Sequence, residues 1–265
     1  MRLLLGLLLS CHTLLALAQP DPFPEVATAY RVEVDGRPVW ERQANRRLPP
    51  ASLTKLMTVL LVLDDYRPQA EVTISRTAAN ETGSRLGLRS GDSFHVEDLL
   101  AAALIHSAND ACRALAEHIA GSEARFVQRM NRRARELGMR GTRFSNACGH
   151  DTPGHYSSAR DLALLANESL RHRALLELAA KQQVKISALN APRDYHFANK
   201  NALIGRYRGA LGLKSGYTPR AGKCLIAYAE RGSTRVLLVM LHGGDRWWDA
   251  VDILDLAFDH ARAAP

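Results

Sequence analysis

Lysine is scarce in this 265-residue chain: Lys55, Lys181, Lys185, Lys200, Lys214 and Lys223 are the only ones among 35 basic residues. Arginine stays protonated at any physiological pH, so a lysine kept at a motif position against such a background points to an amine that must be able to lose its proton. A polybasic block is also missing. The formal charge of +8 is spread along the chain, which favours an anionic partner, and no motif supports nucleic acid. His106, His150, His155 and His242 are scattered without the paired spacing of a zinc site, so neither a metal nor another cofactor is expected. Repeats and low-complexity tracts are absent.

Only one long apolar run occurs, over residues 3–17. It follows Met1 and Arg2 and ends at Ala16-Leu17-Ala18, the pattern of an export leader removed after about residue 18. Polar residues from Ser10 to Thr13 interrupt it, and it is short for a spanning helix, so no stable membrane anchor is expected. Lipid attachment at Cys11 is disfavoured because apolar sequence continues beyond it. The expected destination is the periplasm or cell-wall space. Of four cysteines, Cys112, Cys148 and Cys224 remain after the leader. One disulfide with one thiol left over and three small buried residues are both open, and spacing does not choose.

A hydrophobic content of 46% is enough for a full core. Pro20, Pro22 and Pro24 mark residues 19–27 as a linker, leaving 28–265 as one domain with no further β-domain expected after it. Residues 28–34 and 37–42 alternate around Asp35-Gly36 and predict a hairpin. Residues 71–74 predict a short strand; 98–120, 122–137 and 158–178 predict helices. Residues 209–216, 222–231 and 234–242 predict three antiparallel strands, and 245–261 a closing helix. The class is therefore α/β in the broad sense (α+β): an antiparallel sheet built from both termini and flanked by helices, with a mainly helical insertion over about 76–170.

The most informative stretch is Leu48-Pro49-Pro50-Ala51-Ser52-Leu53-Thr54-Lys55-Leu56-Met57-Thr58. The prolines exclude helix before Ala51, and Leu56, Val59, Leu60 and Leu63 form one apolar stripe, so a buried helix is expected from about Ser52. Ser52 and Lys55 then share a face, with Ser52 in the first turn, where free N–H groups favour developing negative charge. Burial among Leu53, Leu56 and Met57 would disfavour the charged amine, giving a hydroxyl beside its base. Such a pair also arises by chance at about one per chain of this length, so matching parts elsewhere must carry the case. Ser107-Ala108-Asn109 in the expected insertion and Lys214-Ser215-Gly216 on the first late strand supply them.

With these triplets, and with Ser107-Ala108-Asn109-Asp110, Tyr156-Ser157-Ser158-Ala159-Arg160-Asp161, Asn199-Lys200-Asn201 and Gly212-Leu213-Lys214-Ser215-Gly216-Tyr217-Thr218, the chain resembles the serine D-alanyl-D-alanine carboxypeptidases, the low-molecular-mass penicillin-binding proteins. The resemblance implies Ser52 as nucleophile, Lys55 as its base and Ser107 as proton relay beside Lys214. It also implies Asn109 on the substrate amide, backbone N–H groups of Ser52 and Tyr217 as oxyanion donors, Ser215 and Arg246 on the terminal carboxylate, and Lys214 and Gly216 as further substrate-binding residues. Ser215 replaces the usual threonine and keeps the hydroxyl. The implied partners are peptidoglycan peptides ending in D-Ala-D-Ala, with β-lactam antibiotics as covalent inhibitors. A D,D-endopeptidase, a β-lactamase and a non-catalytic peptidoglycan-binding module are the alternatives. Residues 142–156 lack the glutamate that a class A β-lactamase uses to activate water.

Overall fold

Alternating side chains at both ends of the chain meet in one sheet. The computed structural model describes residues 21–263 apart from residue 66. The leader expected over 1–18 lies outside the described residues. The hairpin of β1 (Ala27–Val34) and β2 (Arg37–Arg42) joins β7 (Ala210–Thr218), β8 (Gly222–Arg231) and β9 (Thr234–Gly243) in an antiparallel sheet of order β2-β1-β9-β8-β7. Because strand side chains alternate, β9 serves two cores. Val236, Leu238 and Met240 pack with Ile253, Leu254 and Phe258 of the closing helix α8 (Arg246–Ala263). Leu237, Val239 and Leu241 face the helical layer.

That layer surrounds α1 (Lys55–Leu63), whose nine residues are all buried, as expected of a helix apolar on nearly every side. Around it stand α2 (Arg76–Ala79), α3 (Val96–Ala101), α4 (Asn109–Ala120), α5 (Glu123–Glu136), α6 (Ala159–Ser169) and α7 (Arg173–Ala179). Two small antiparallel pairs complete it: β3 (Glu71–Thr73) with β4 (Ser93–His95), and β5 (Gln183–Ser187) with β6 (Asp194–Ala198). The α+β architecture is as expected from the sequence.

Two expectations are corrected, and three short strands went unpredicted. The helix predicted over 98–120 is interrupted by a π-helical turn, Ala102–His106, and by Ser107 in the left-handed region at φ 64°. Tertiary bonds impose the break: Asn109 N–H donates to Ser84 O (2.7 Å) and Lys200 N–H to Ile105 O (2.9 Å), removing those groups from a continuous helical ladder. The helix predicted over 158–178 divides into α6 and α7, because residues 170–172 close α6 with i→i−3 bonds, Arg171 N–H to Glu168 O and His172 N–H to Ser169 O. The β4, β5 and β6 strands fall in segments too short or too polar for the alternation to register.

No helix among the described residues is long and apolar enough to cross a membrane.

Candidate active site

Pro50 and a positive φ at Ala51 (48°) prevent an α-helix from starting at Ser52. Residues Ala51–Thr54 form a 3-10 turn and α1 begins at Lys55, three residues later than expected. The reason is close packing on both sides of the turn. A Cβ on Gly149, whose φ is +88°, would stand 2.0 Å from Ala51 O, and one on Gly216 would stand 2.9 Å from Ser52 N. Only glycine lets the 146–150 loop and the free edge of β7 approach the nucleophile's backbone from opposite sides. Ser52 and Lys55 nevertheless remain one turn apart, as the spacing requires.

Lys55 is fully buried, and its Nζ lies 3.1 Å from Ser52 Oγ. The amine donates to Asn109 Oδ1 and to Cys148 O, each at 2.6 Å. A neutral amine has two N–H bonds and one lone pair. In that neutral form, with both hydrogens engaged by Asn109 and Cys148, the lone pair is the part left for the serine hydroxyl. Burial brings Lys55 down from 10.5 to about 7; Glu81 and Asp110 oppose the fall, and the Lys200 ammonium adds to it.

Asn109 opens α4 immediately after the break, and its amide also donates to Thr82 O at 2.5 Å. Asp110 is buried and accepts from the N–H groups of Leu86, Gly87 and Leu88, which fixes the 84–88 loop beside it. Ser107 is buried two residues before Asn109, in the left-handed conformation already described. That backbone departs from helix where the triplet begins, so Ser107 and Asn109 need not diverge as they would on a regular helix.

On the other wall, β7 is the outer strand of the five-stranded sheet. Lys214 is buried, and its Nζ donates to Ser215 O (2.8 Å) rather than to Ser107. Burial drives Lys214 well below its ordinary value, and the charges of Lys55, Lys200 and Arg246 drive it further. Among the nearby charges, the cation that presses Lys55 down is Lys200. Ser215 is buried beside Lys214, whereas Tyr217 is 62% exposed. Arg246 opens α8, stacks over Trp247 at 4.6 Å and donates to Gly216 O at 2.6 Å. Its Nε is buried with no partner among the described residues.

The structure thus joins Ser52, Lys55 and Asn109 directly and brings Gly216 and Arg246 to the same turn. It adds residues that sequence reasoning left without a role. Lys200 donates to Ser84 Oγ (2.6 Å), Glu81 is held by His150 (2.9 Å) and Arg113 (3.3 Å), and the Cys148 carbonyl touches Lys55. Lysine scarcity was a signal for Lys200; Glu81 and a backbone carbonyl leave none. Cys112 and Cys148 form a disulfide with Cα atoms 6.0 Å apart, and Cys224 is a buried free thiol.

A buried amine 3.1 Å from a serine hydroxyl, between an asparagine and a sheet edge, is an arrangement suited to serine–lysine acyl transfer. Comparison with known proteins agrees with that class. The family model described as D-alanyl-D-alanine carboxypeptidase matches residues 25–244. The Bacillus subtilis D-alanyl-D-alanine carboxypeptidase DacF is 35% identical over 91% of this chain and 64% of its own length. DacC of Escherichia coli is 36% identical over 78% of this chain and 53% of its own. A Pseudomonas aeruginosa D-alanyl-D-alanine endopeptidase is 32% identical over 78% of this chain and 67% of its own. Among solved structures, a mutant of the Streptomyces K15 DD-transpeptidase superposes with a TM-score of 0.83 at 27% identity, covering 89% of this chain and 98% of that one. Penicillin-binding protein D2 of Listeria monocytogenes, in its ampicillin-bound form, gives 0.79 at 31% identity, covering 90% and 100%. The chain belongs to the D-alanyl-D-alanine carboxypeptidase family. It spans about half to two thirds of the length of the first curated relatives it matches.

Proposed function

We propose that the chain is a penicillin-binding serine D,D-peptidase that removes the terminal D-alanine from peptidoglycan stem peptides through an acyl-enzyme on Ser52. The observation that carries this reading is the environment of Lys55: Nζ is held by Asn109 Oδ1 and Cys148 O, each at 2.6 Å, and lies 3.1 Å from Ser52 Oγ. Lys55 takes the proton of Ser52 as Oγ attacks the carbonyl between the two D-alanines. Keeping that amine neutral near pH 7 reflects a burial penalty on the ammonium of about 5 kcal/mol. The N–H groups of Ser52 and Tyr217 hold the oxyanion, at about 3 kcal/mol per donor. Ser107 returns a proton to the leaving amine, and Asn109 orients both Lys55 and the substrate amide.

Lys200, Arg246 and Lys214 make one end of the cleft electropositive, which suits a product whose leaving group carries a carboxylate. A carboxylate arriving there meets Lys214, Ser215 and the unpartnered Arg246 Nε as donors. Water then releases the acyl group. The 142–156 loop offers no glutamate, and its Asp151 accepts from Thr218 Oγ1 (2.7 Å) and Arg220 N (3.2 Å), so penicillin is expected to acylate Ser52 and leave slowly. We place the activity in the periplasm or cell-wall space, in keeping with the leader.

The endopeptidase relative keeps cross-link cleavage as a second reading of the same centre. Incubating wild type and Ser52→Ala with a pentapeptide and with a cross-linked muropeptide, and weighing the fragments by mass spectrometry, tests both. Release of D-alanine from the pentapeptide by wild type alone supports carboxypeptidase action. Cleavage of the cross-link alone supports endopeptidase action. Turnover by Ser52→Ala removes the nucleophile from the scheme.

A further inference from the structure

The two acceptors that hold Lys55 come from different segments. Asn109 Oδ1 stands at the start of α4, and Cys148 O belongs to the 146–150 loop. Cys112 lies one helical turn after Asn109 and is bonded to Cys148 itself. The disulfide therefore closes a small ring through the lysine: Asn109, three residues of α4, the Cys112–Cys148 bond, the Cys148 carbonyl and the Lys55 amine. The loop's other ties run elsewhere, from Thr58 Oγ1 of α1 to Ala147 O (2.7 Å) and from Ala147 N to Glu123 Oε1 of α5 (3.0 Å). Asn146 Oδ1 shapes the loop internally, accepting from the N–H groups of Cys148, Gly149 and His150. Of these ties, only the disulfide covalently joins the loop to the helix that carries Asn109.

We infer that the Cys112–Cys148 disulfide is a positioning clamp for the general base, holding the spacing of the two acceptors that aim Lys55 at Ser52, so that acylation competence depends on the pair being oxidised. This rests on the reading of Ser52 and Lys55 as nucleophile and base. The bond contacts no substrate and acts through the lysine. The export leader expected from the sequence would take the chain to a compartment where such a bond persists, so the clamp and the expected location agree. A displacement of about 1 Å between reacting groups lowers rates by roughly 100-fold; with the ties of Thr58 and Asn146 left in place, a loss of about 10- to 100-fold is expected here.

The test is saturation kinetics of acylation by a fluorescent penicillin, resolving the non-covalent dissociation constant from the first-order acylation step, alongside thermal unfolding. Oxidised wild type is compared with Cys112→Ala/Cys148→Ala, both measured well below their unfolding temperatures. If the double variant does not fold, wild type reduced with dithiothreitol replaces it. Reduction passes two electrons and two protons to the sulfurs, leaving two thiols and the reagent's cyclic disulfide, and trapped thiols are counted to establish its extent. The clamp predicts an acylation step slowed about 10- to 100-fold with an unchanged dissociation constant, and recovery of the reduced protein on reoxidation. A lower unfolding temperature with an unchanged acylation step overturns it, as does weaker binding with an unchanged step. Failure of the oxidised wild type to acylate at all would instead remove the underlying assignment of Ser52 and Lys55.

Discussion

Replacing Asn109 by alanine separates two roles that one side chain combines. It deletes the 2.6 Å acceptor of Lys55 and the 2.5 Å bond to Thr82 O. Two partly or wholly buried bonds at about 1 kcal/mol each give a loss of about 2 kcal/mol. For a chain of this size that is a fall of roughly 4–8 °C in unfolding temperature. The effect on Lys55 has a definite sign. A bond to the ammonium is worth about 1 kcal/mol more than the same bond to the neutral amine, so its removal costs the charged form more. The acidic limb of the acylation profile should then move to lower pH, by somewhat under one pH unit. The plateau should nevertheless fall about 10- to 100-fold, because an amine free to rotate no longer points its lone pair at Ser52. Stopped-flow acylation by a fluorescent penicillin between pH 5 and 9, with calorimetry on the same samples, reads all three quantities. An unchanged plateau and limb, with only weaker non-covalent binding, would show that Asn109 serves the substrate alone and refute the argument.

Three further outcomes follow from charges and contacts around the same turn. Glu81→Gln removes an anion that favours the Lys55 ammonium and should shift the acidic limb down, whereas Lys200→Gln removes a repelling cation and should shift it up; parallel acylation profiles check the opposite signs. Gly149→Ala places a methyl 2.0 Å from Ala51 O at a backbone φ of +88°, and should cost about 1–3 kcal/mol in chemical denaturation as well as slowing acylation. His155 is buried and brought down to about 4, first by desolvation and then by the charge of His150. Its Nδ1 accepts from Ser145 N at 2.9 Å, which leaves the Nε2 hydrogen for Thr54 Oγ1 at 2.8 Å. The unfolded chain takes up this proton first, so the stability of the neutral imidazole is complete above pH 6.5 and is lost as pH falls toward 4. The loss amounts to about 3 kcal/mol, and His155→Gln should flatten that part of the pH–stability curve.

Strand alternation at both ends and the apolar stripe of residues 56–63 carried enough periodicity to place the sheet and the buried helix from sequence. The Ser52–Lys55 pairing survived even though the local backbone is a 3-10 turn rather than an α-helix, because one turn of either brings positions three apart together. The break at Ala102–Ser107 was not legible: its residues are ordinary helix formers, and the contacts that divert them come from Ser84 and Lys200, far away in sequence. For the same reason Lys200 could be noticed as a rare lysine without acquiring a role, and the pairing of Cys112 with Cys148 required the loop of 146–150 to be folded onto α4. Lys214 was placed correctly on its strand, but its bond to Ser215 O rather than to Ser107 was not legible.

The claim beneath all of this is that Ser52 is activated by an amine uncharged at neutral pH, and the pH dependence of wild-type acylation tests it most directly. With Lys55 titrating at about 7, the first-order acylation rate should climb roughly tenfold between pH 6 and pH 8 and level off above it. A rate that is flat across that interval, or that keeps rising toward pH 10 as for an ordinary solvated lysine, would contradict it.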